Sequence, residues 1–330
     1  MVVSVEVSDL RGWSKQVSRA GADMYAGNDY AEKYLNDANF GKILELITGE
    51  YRELLPKVQT TLDTDGERLR KSGLALEYAA DDYHQRDHNF ASEIAKADGS
   101  LAVTDDGVAS GFEDVTTGAS HLMPPTSNGQ QLPEVSLGML FDTICDVIIK
   151  VGGPDIRQSL TSFIAGDVSK AATQVSAWQH LASCAETVRQ NLERGQTAIT
   201  KTWTGNAATA QSAYFQRWNG SIGGQKSALE QMGNYLKDAV EQAVSFAQVT
   251  IDIVKTVISL VSAAWSNAAI PLWGQWKAIK TVKEAITTLN SARKVLMVFM
   301  NLLKSIVDFI KASYLVFTSE SLPPAPTAGG

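Results

Sequence analysis

Thr202-Trp203-Thr204-Gly205-Asn206-Ala207-Ala208-Thr209-Ala210 lies between two long segments whose apolar residues recur at helical spacing. Before it come Ala171, Val175, Trp178, Ala185, Val188, Leu192 and Ile199; after it come Phe215, Trp218, Ile222, Leu229, Met232 and Leu236. Steps of three and four place each set on one helix face. A tight turn between antiparallel helices needs a residue that accepts positive φ and a large anchor that fixes the crossing. Gly205 and Trp203 meet those two needs. The small side chains of Asn206 to Ala210 then let a neighbouring helix approach closely. A helical hairpin is therefore expected here.

Val244, Ala247, Ile251, Val254, Ile258, Val261, Trp265 and Ala268 continue the second helix in alternating three- and four-residue steps. Val282, Ala285, Leu289, Ala292, Leu296, Phe299, Leu303, Ile306 and Ile310 do the same. Such sustained heptads predict a coiled-coil-like antiparallel hairpin with its turn near Pro271. Toward the N-terminus, Ser8-Asp9 opens a helix expected to run to about Tyr25, followed by a less regular stretch from Gly27 to Phe40. Val58 to Ile94 reads as a long helix with Pro56 near its first turn. The predicted organisation is a first hairpin over 1–97, a flexible linker over 98–134, a second hairpin running into the apolar one over 135–317, and a disordered tail over 318–330. The linker assignment rests on five glycines and three prolines without periodicity. The fold class expected is all-α, an elongated helical bundle.

The helix over 58–94 carries Ala79-Ala80-Asp81-Asp82-Tyr83-His84-Gln85-Arg86-Asp87. Tyr83 and Asp87 are four apart, as are Tyr78 and Asp82, so each pair shares one helix face a turn apart. Taken alone, such a pair is an ordinary packed tyrosine beside a solvated carboxylate. Together with Trp-Thr-Gly-Asn-Ala-Ala, however, it resembles a known group. The run 202–210, with its flanking helices over roughly Asp167 to Phe246, looks like the WxG hairpin proteins exported by actinobacterial type VII (ESX) secretion systems. Tyr-x-x-x-Asp is similar to the export signal those systems read. Its position ahead of WxG in one chain resembles the EspB-type substrates, in which one hairpin supplies each half of a four-helix bundle.

The resemblance implies a non-enzymatic substrate with a composite signal made of Trp203, Gly205, Tyr83 and Asp87, with Tyr78 and Asp82 as the overlapping pair. It implies recognition by the secretion ATPase or an associated chaperone, and it leaves homo-oligomerisation open. The two halves are expected to dock side by side, so that the indole-bearing turn and the tyrosine–carboxylate pair meet at one exposed end. Tyr83→Ala or Trp203→Ala is then expected to stop export without altering helical content or melting.

Composition bounds the rest. The chain has 330 residues, 44% of them hydrophobic, and a net charge of −7. Residues 1–140 carry 23 acidic and 12 basic side chains, while 141–330 carry 13 and 17. No basic face with interleaved aromatics emerges, which argues against nucleic acid as a partner. Met1 to Asp9 lacks a basic segment and a long apolar core, so no cleavable secretory signal is expected there. The protein is expected to be made in the cytoplasm and to reach the exterior or cell surface by the type VII route. Cys145 and Cys184 fit no metal or redox spacing and read as two buried thiols, with a disulfide left open.

His84 and His88 lie one helical turn apart, but the intervening residues lack the Glu of a zinc protease and no third ligand is identifiable. His121 and His180 neighbour no nucleophile motif, and there is no phosphate-binding glycine loop. No cofactor, metal or catalytic residue is assigned. One feature favours a rival: Thr256 to Trp276 is uncharged over 21 residues, long enough to span a bilayer. Trp265, Trp273 and Trp276 would suit its interface. Internal Ser, Asn, Pro and Gly residues, and the continuing seam, favour a hairpin that stays out of the membrane. A membrane-active protein and the delivery module of a polymorphic toxin remain the two alternatives.

Overall fold

The computed structural model describes residues 4–98, 108–127, 129, 131–132, 168–265 and 294–326, of which 90–98, 257, 258 and 260–265 are described by their backbone alone. Four long helices dominate: α1 (Val7–Tyr34), α2 (Glu45–Asp98), α3 (Ser169–Ile199) and α4 (Asn206–Trp265). A fifth helical stretch, α5, covers 294–313. The fold is all-α and elongated. At 1.5 Å per residue, the 60 residues of α4 extend about 90 Å.

α1 and α2 form one hairpin, α3 and α4 the other, and α1 lies directly against α3. The core is continuous across both hairpins, with Trp13, Trp178, Trp218, Tyr51, Phe40 and Met24 fully buried. Near the end where α1 passes into α2, Tyr51 sits edge-to-face with Phe40 and receives the Trp178 Nε1 hydrogen bond at 2.8 Å. Tyr51 in turn donates to Gln174. That network ties α2 to α3, so each hairpin buries its apolar stripe against the other. Such burial is the main term offsetting chain entropy, at about 25 cal/mol per Å².

Two helices differ from the sequence expectation. α1 continues through Gly27 to Tyr34, where the sequence predicts a less regular stretch. Met24, Tyr30 and Ala31 are all buried, and Gly27 faces Leu62 of α2 and Leu181 of α3. Packing on two sides holds the helix through a poor helix former. α2 likewise runs unbroken from Glu45, with Pro56 inside it and not at its start. Pro56 is exposed while Tyr51, Leu54, Leu55 and Val58 are buried. The lost backbone hydrogen bond therefore falls on the solvent face, where water meets the free carbonyl.

Two further segments, one largely irregular and one led by α5, seal the seams. Composition alone reads 108–127 as linker, yet these residues lie across α1 and α3. Phe112 is buried beside Trp13, Arg19 reaches the Phe112 carbonyl at 2.6 Å, and Asp23 accepts from the Gly118 and Ala119 amides at 2.7 and 3.2 Å. Tyr30 donates to the Met123 carbonyl at 2.8 Å, and Asn191 to that of Thr116 at 2.8 Å. Backbone groups of an irregular segment need partners once buried, and α1 and α3 supply them. On the other seam, α5 and the residues after it bridge α2 and α4. Phe299 stacks on Phe246 at 5.4 Å, Tyr235 meets Phe309 at 4.8 Å, and the Tyr314 hydroxyl donates to Glu50 at 2.9 Å. The segment 318–326, expected to be disordered, is fixed there as well, as described below.

Cys184 is a buried free thiol, its pKa pushed up by burial. Cys145 and the expected turn at Pro271 lie outside the described residues.

Asp65 on α2 is fully buried opposite Gln225 of α4, and neither carboxyl oxygen is met by a well-formed hydrogen bond. Burial raises its pKa well above the ordinary 3.8, outweighing the facing Gln225 and then Arg68, which act the other way. Below about pH 3.8 the group is protonated folded and unfolded alike, and the folded state bears no penalty from it. As pH rises toward the folded-state pKa, the unfolded chain ionises first and that advantage is lost. Asp65→Asn is therefore expected to be more stable than wild type at neutral pH, by about 1–3 kcal/mol. The difference should shrink toward pH 4. Urea unfolding of both proteins at several pH values checks this.

Candidate functional site

The turn between α3 and α4 is built by its own sequence. The Ile199 carbonyl accepts from Trp203 N at 2.9 Å and Thr202 N at 3.2 Å, closing α3. Gly205 then takes φ 106°, a region that side-chain-bearing residues rarely occupy. Its carbonyl accepts the first bond of α4, from Thr209 N at 3.0 Å. The chain's N-terminal segment clips the turn from outside. Thr204 N donates to Ser4 O at 2.8 Å, Ser4 N to Thr204 Oγ1 at 3.2 Å, and Thr202 Oγ1 to Asp9 Oδ2 at 2.9 Å.

Trp203 points inward and is 5% exposed, its Nε1 without a hydrogen-bond partner. Tyr83 of α2 packs edge-to-face against it, ring centroids 6.4 Å apart and planes at 83°. Rings in this arrangement gain about 0.5–1.5 kcal/mol beyond their burial. Tyr83 is half-buried, and Asp87 one turn further along α2 is exposed. The structure thus brings Trp203, Gly205 and Tyr83 to one corner and leaves the Asp87 carboxylate open to solvent. Tyr78 and Asp82 stand apart from it: Tyr78 is 63% exposed, and Asp82 pairs with Arg86 on its own helix at 3.0 Å.

The burial of Trp203 corrects one expectation. An indole this enclosed cannot be removed with melting unchanged. A shallow hollow of about 440 Å³ lies on the outer side of the turn, bordered by Trp203, Gly205, Ala208 and Ser212. A second hollow, of about 510 Å³, opens on the inner side between α2 and α4, with Leu76, Ala79, Trp203, Tyr214 and Phe215 among its walls.

Sequence reasoning missed three contributors. Ser4 and Asp9 hold the turn through long-range contacts that carry no local signal. Trp13, fully buried, sits edge-to-face with Phe215 at 4.8 Å and meets α3 where it has Gly195. A tryptophan four residues after Asp9 in an amphipathic stretch was the available signal for a core anchor.

The His84 and His88 rings lie 4.4 Å apart, and among the described residues no cluster of three or more His, Cys, Asp or Glu side chains could hold a metal. His121 Nε2 and Thr187 Oγ1 are 3.0 Å apart, and His180 Nδ1 lies 3.0 Å from the Met123 carbonyl. Both histidines thereby fasten the 108–127 segment. No helix among the described residues is long and apolar enough to cross a membrane. Trp273 and Trp276 lie outside the described residues, and Trp265 is described only as the last backbone position of α4.

Residues 164–245 match the WXG100 family, described as proteins of 100 residues with WXG. The match spans α3, the Trp203–Gly205 turn and most of α4. It supports a WxG-type helical protein of the kind exported by type VII secretion systems. No curated protein and no solved structure matches the chain.

Proposed function

We propose that this chain is a non-enzymatic substrate of an actinobacterial type VII (ESX) system, exported with its helices folded. Its signal is a composite of the Trp203–Gly205 turn, Tyr83 and the exposed Asp87. The observation that carries this reading is the Tyr83–Trp203 contact, which joins two motifs 120 residues apart at one corner. Trp203 and Tyr83 act as the rigid seat, and Asp87 as the group offered to the secretion ATPase or an associated chaperone. A carboxylate on a helix face suits recognition by a cationic pocket, because a charge-assisted hydrogen bond is about twice as strong as a neutral one.

The two-hairpin arrangement supports an EspB-like organisation, in which each half of the bundle comes from one hairpin of a single chain. Export would then need no partner to complete the fold, whereas a lone hairpin needs a second copy or a companion protein.

The test compares culture filtrate with lysate in a host with and without a working type VII ATPase. The chain is expected in the filtrate only when the ATPase is active. Equal filtrate levels in both hosts overturn the proposal.

A further inference from the structure

The chain's last described residues lie along the outer edge of the α2/α4 seam. Arg68 of α2 directs one nitrogen, Nη1, at the carbonyls of Ser319, Leu322 and Pro323, at 2.9, 3.1 and 3.2 Å. Ser221 of α4 donates to the Ser321 carbonyl at 3.0 Å. Leu322 and Pro323 are buried, while Pro324 and Pro326 are exposed on their outer side. Leu322 is extended, with φ −94° and ψ 144°, and the prolines that follow hold φ near −65° by their rings. Pro324, Ala325 and Pro326 form one wall of the inner hollow, whose other walls include Leu76, Ala79, Trp203 and Tyr214. The polar groups along that wall are already engaged: Ser72 and Tyr214 hydroxyls pair at 2.7 Å, and Gln211 pairs with Gln196 at 2.7 Å.

We infer that this groove, from Arg68 to Trp203, is a docking site for an extended proline-containing peptide, and that residues 319–326 are its intramolecular ligand. The clamp reads main-chain carbonyls, which any extended peptide offers. The hollow reads apolar bulk on a backbone held open by proline, the mode by which aromatic-lined grooves take polyproline segments at low entropic cost. The inference stands on the groove itself and does not require the export reading. The two meet only in that a docked peptide would touch Trp203.

A tethered ligand has an effective concentration on the order of 1 mM. A peptide in solution with a Kd of about 0.1 mM would then bind the wild-type chain about tenfold more weakly than a chain whose own tail is released. The probe is a fluorescein-labelled peptide of residues 319–326, read by anisotropy against full-length protein. Leu322→Asp releases the tail by placing a charge in its buried anchor. Leu322→Ser with Pro323→Ser removes the same buried apolar anchor without burying a charge, and decides the matter if the first variant does not fold. The peptide is expected to saturate either released chain about tenfold more tightly than wild type. Arg68→Ala in the released background is expected to abolish binding. Absence of saturable binding to a released chain with native helical content overturns the inference, and so does equal binding to wild type. Dimerisation of the released chain that leaves the groove closed to peptide also overturns it, in favour of a second copy as the occupant.

Discussion

Trp203→Ala is expected to destabilise the protein by about 3–5 kcal/mol, the usual cost of emptying a buried tryptophan site. The indole is enclosed by α2, by the start of α4 and by its own turn. Its loss leaves a cavity that the clipped backbone cannot readily close, because Ser4 and Asp9 hold the turn in place. Tyr83 would lose its ring partner at the same time, so α2 would be freed from the corner. Trp203→Phe should retain much of the stability by keeping an aromatic surface there. Urea denaturation of the three proteins gives the comparison directly. Export of Trp203→Ala is expected to fail, but that failure would mix lost folding with lost recognition. Trp203 therefore reports on the corner's stability more than on its readout.

Gly195→Val is expected to destabilise the protein at a different contact between the halves, where α1 meets α3. A Cβ on Gly195 would lie 2.0 Å from Gln16 Oε1 and 2.3 Å from Trp13 Cζ3. Trp13 cannot swing away, being wedged against Phe215 at 4.8 Å and Phe112 at 6.5 Å. α1 must then separate from α3, and overpacking of this kind costs about 1–3 kcal/mol, more where neighbours are fixed. Hydrogen exchange should quicken along the facing surfaces of α1 and α3 before it does elsewhere. Gly220, in α4 with no atom within 4 Å of a would-be Cβ, is the control. Gly220→Ala should be neutral or stabilise by about 0.5–1 kcal/mol.

The α3–α4 hairpin was legible because its signals are local: two amphipathic stripes, an anchor, and a glycine where φ must be positive. The limits of α1 and α2 were not, because Gly27 and Pro56 read as breakers in sequence while their burial and exposure decide the outcome. The segments 108–127 and 318–326 show a deeper limit. Neither has periodicity, since each is fixed through its backbone by distant side chains such as Asp23, Asn191 and Arg68. Composition records the absence of regular structure and cannot report that kind of anchoring. The two motifs of the candidate site were visible as spacings. That Tyr83 lies against Trp203, while Tyr78 faces solvent, depends on how the hairpins dock and had no signature in either motif.

Asp87 offers the cleanest separation of recognition from folding, since it is exposed on α2 and an exposed side chain usually shifts stability by no more than about 0.5 kcal/mol. The decisive measurement is the filtrate-to-lysate ratio of Asp87→Ala against wild type in a host with an active type VII ATPase, with melting recorded for both. The account predicts matching melting curves and a secreted fraction reduced by an order of magnitude or more. Unchanged secretion of a normally folded Asp87→Ala protein would contradict it.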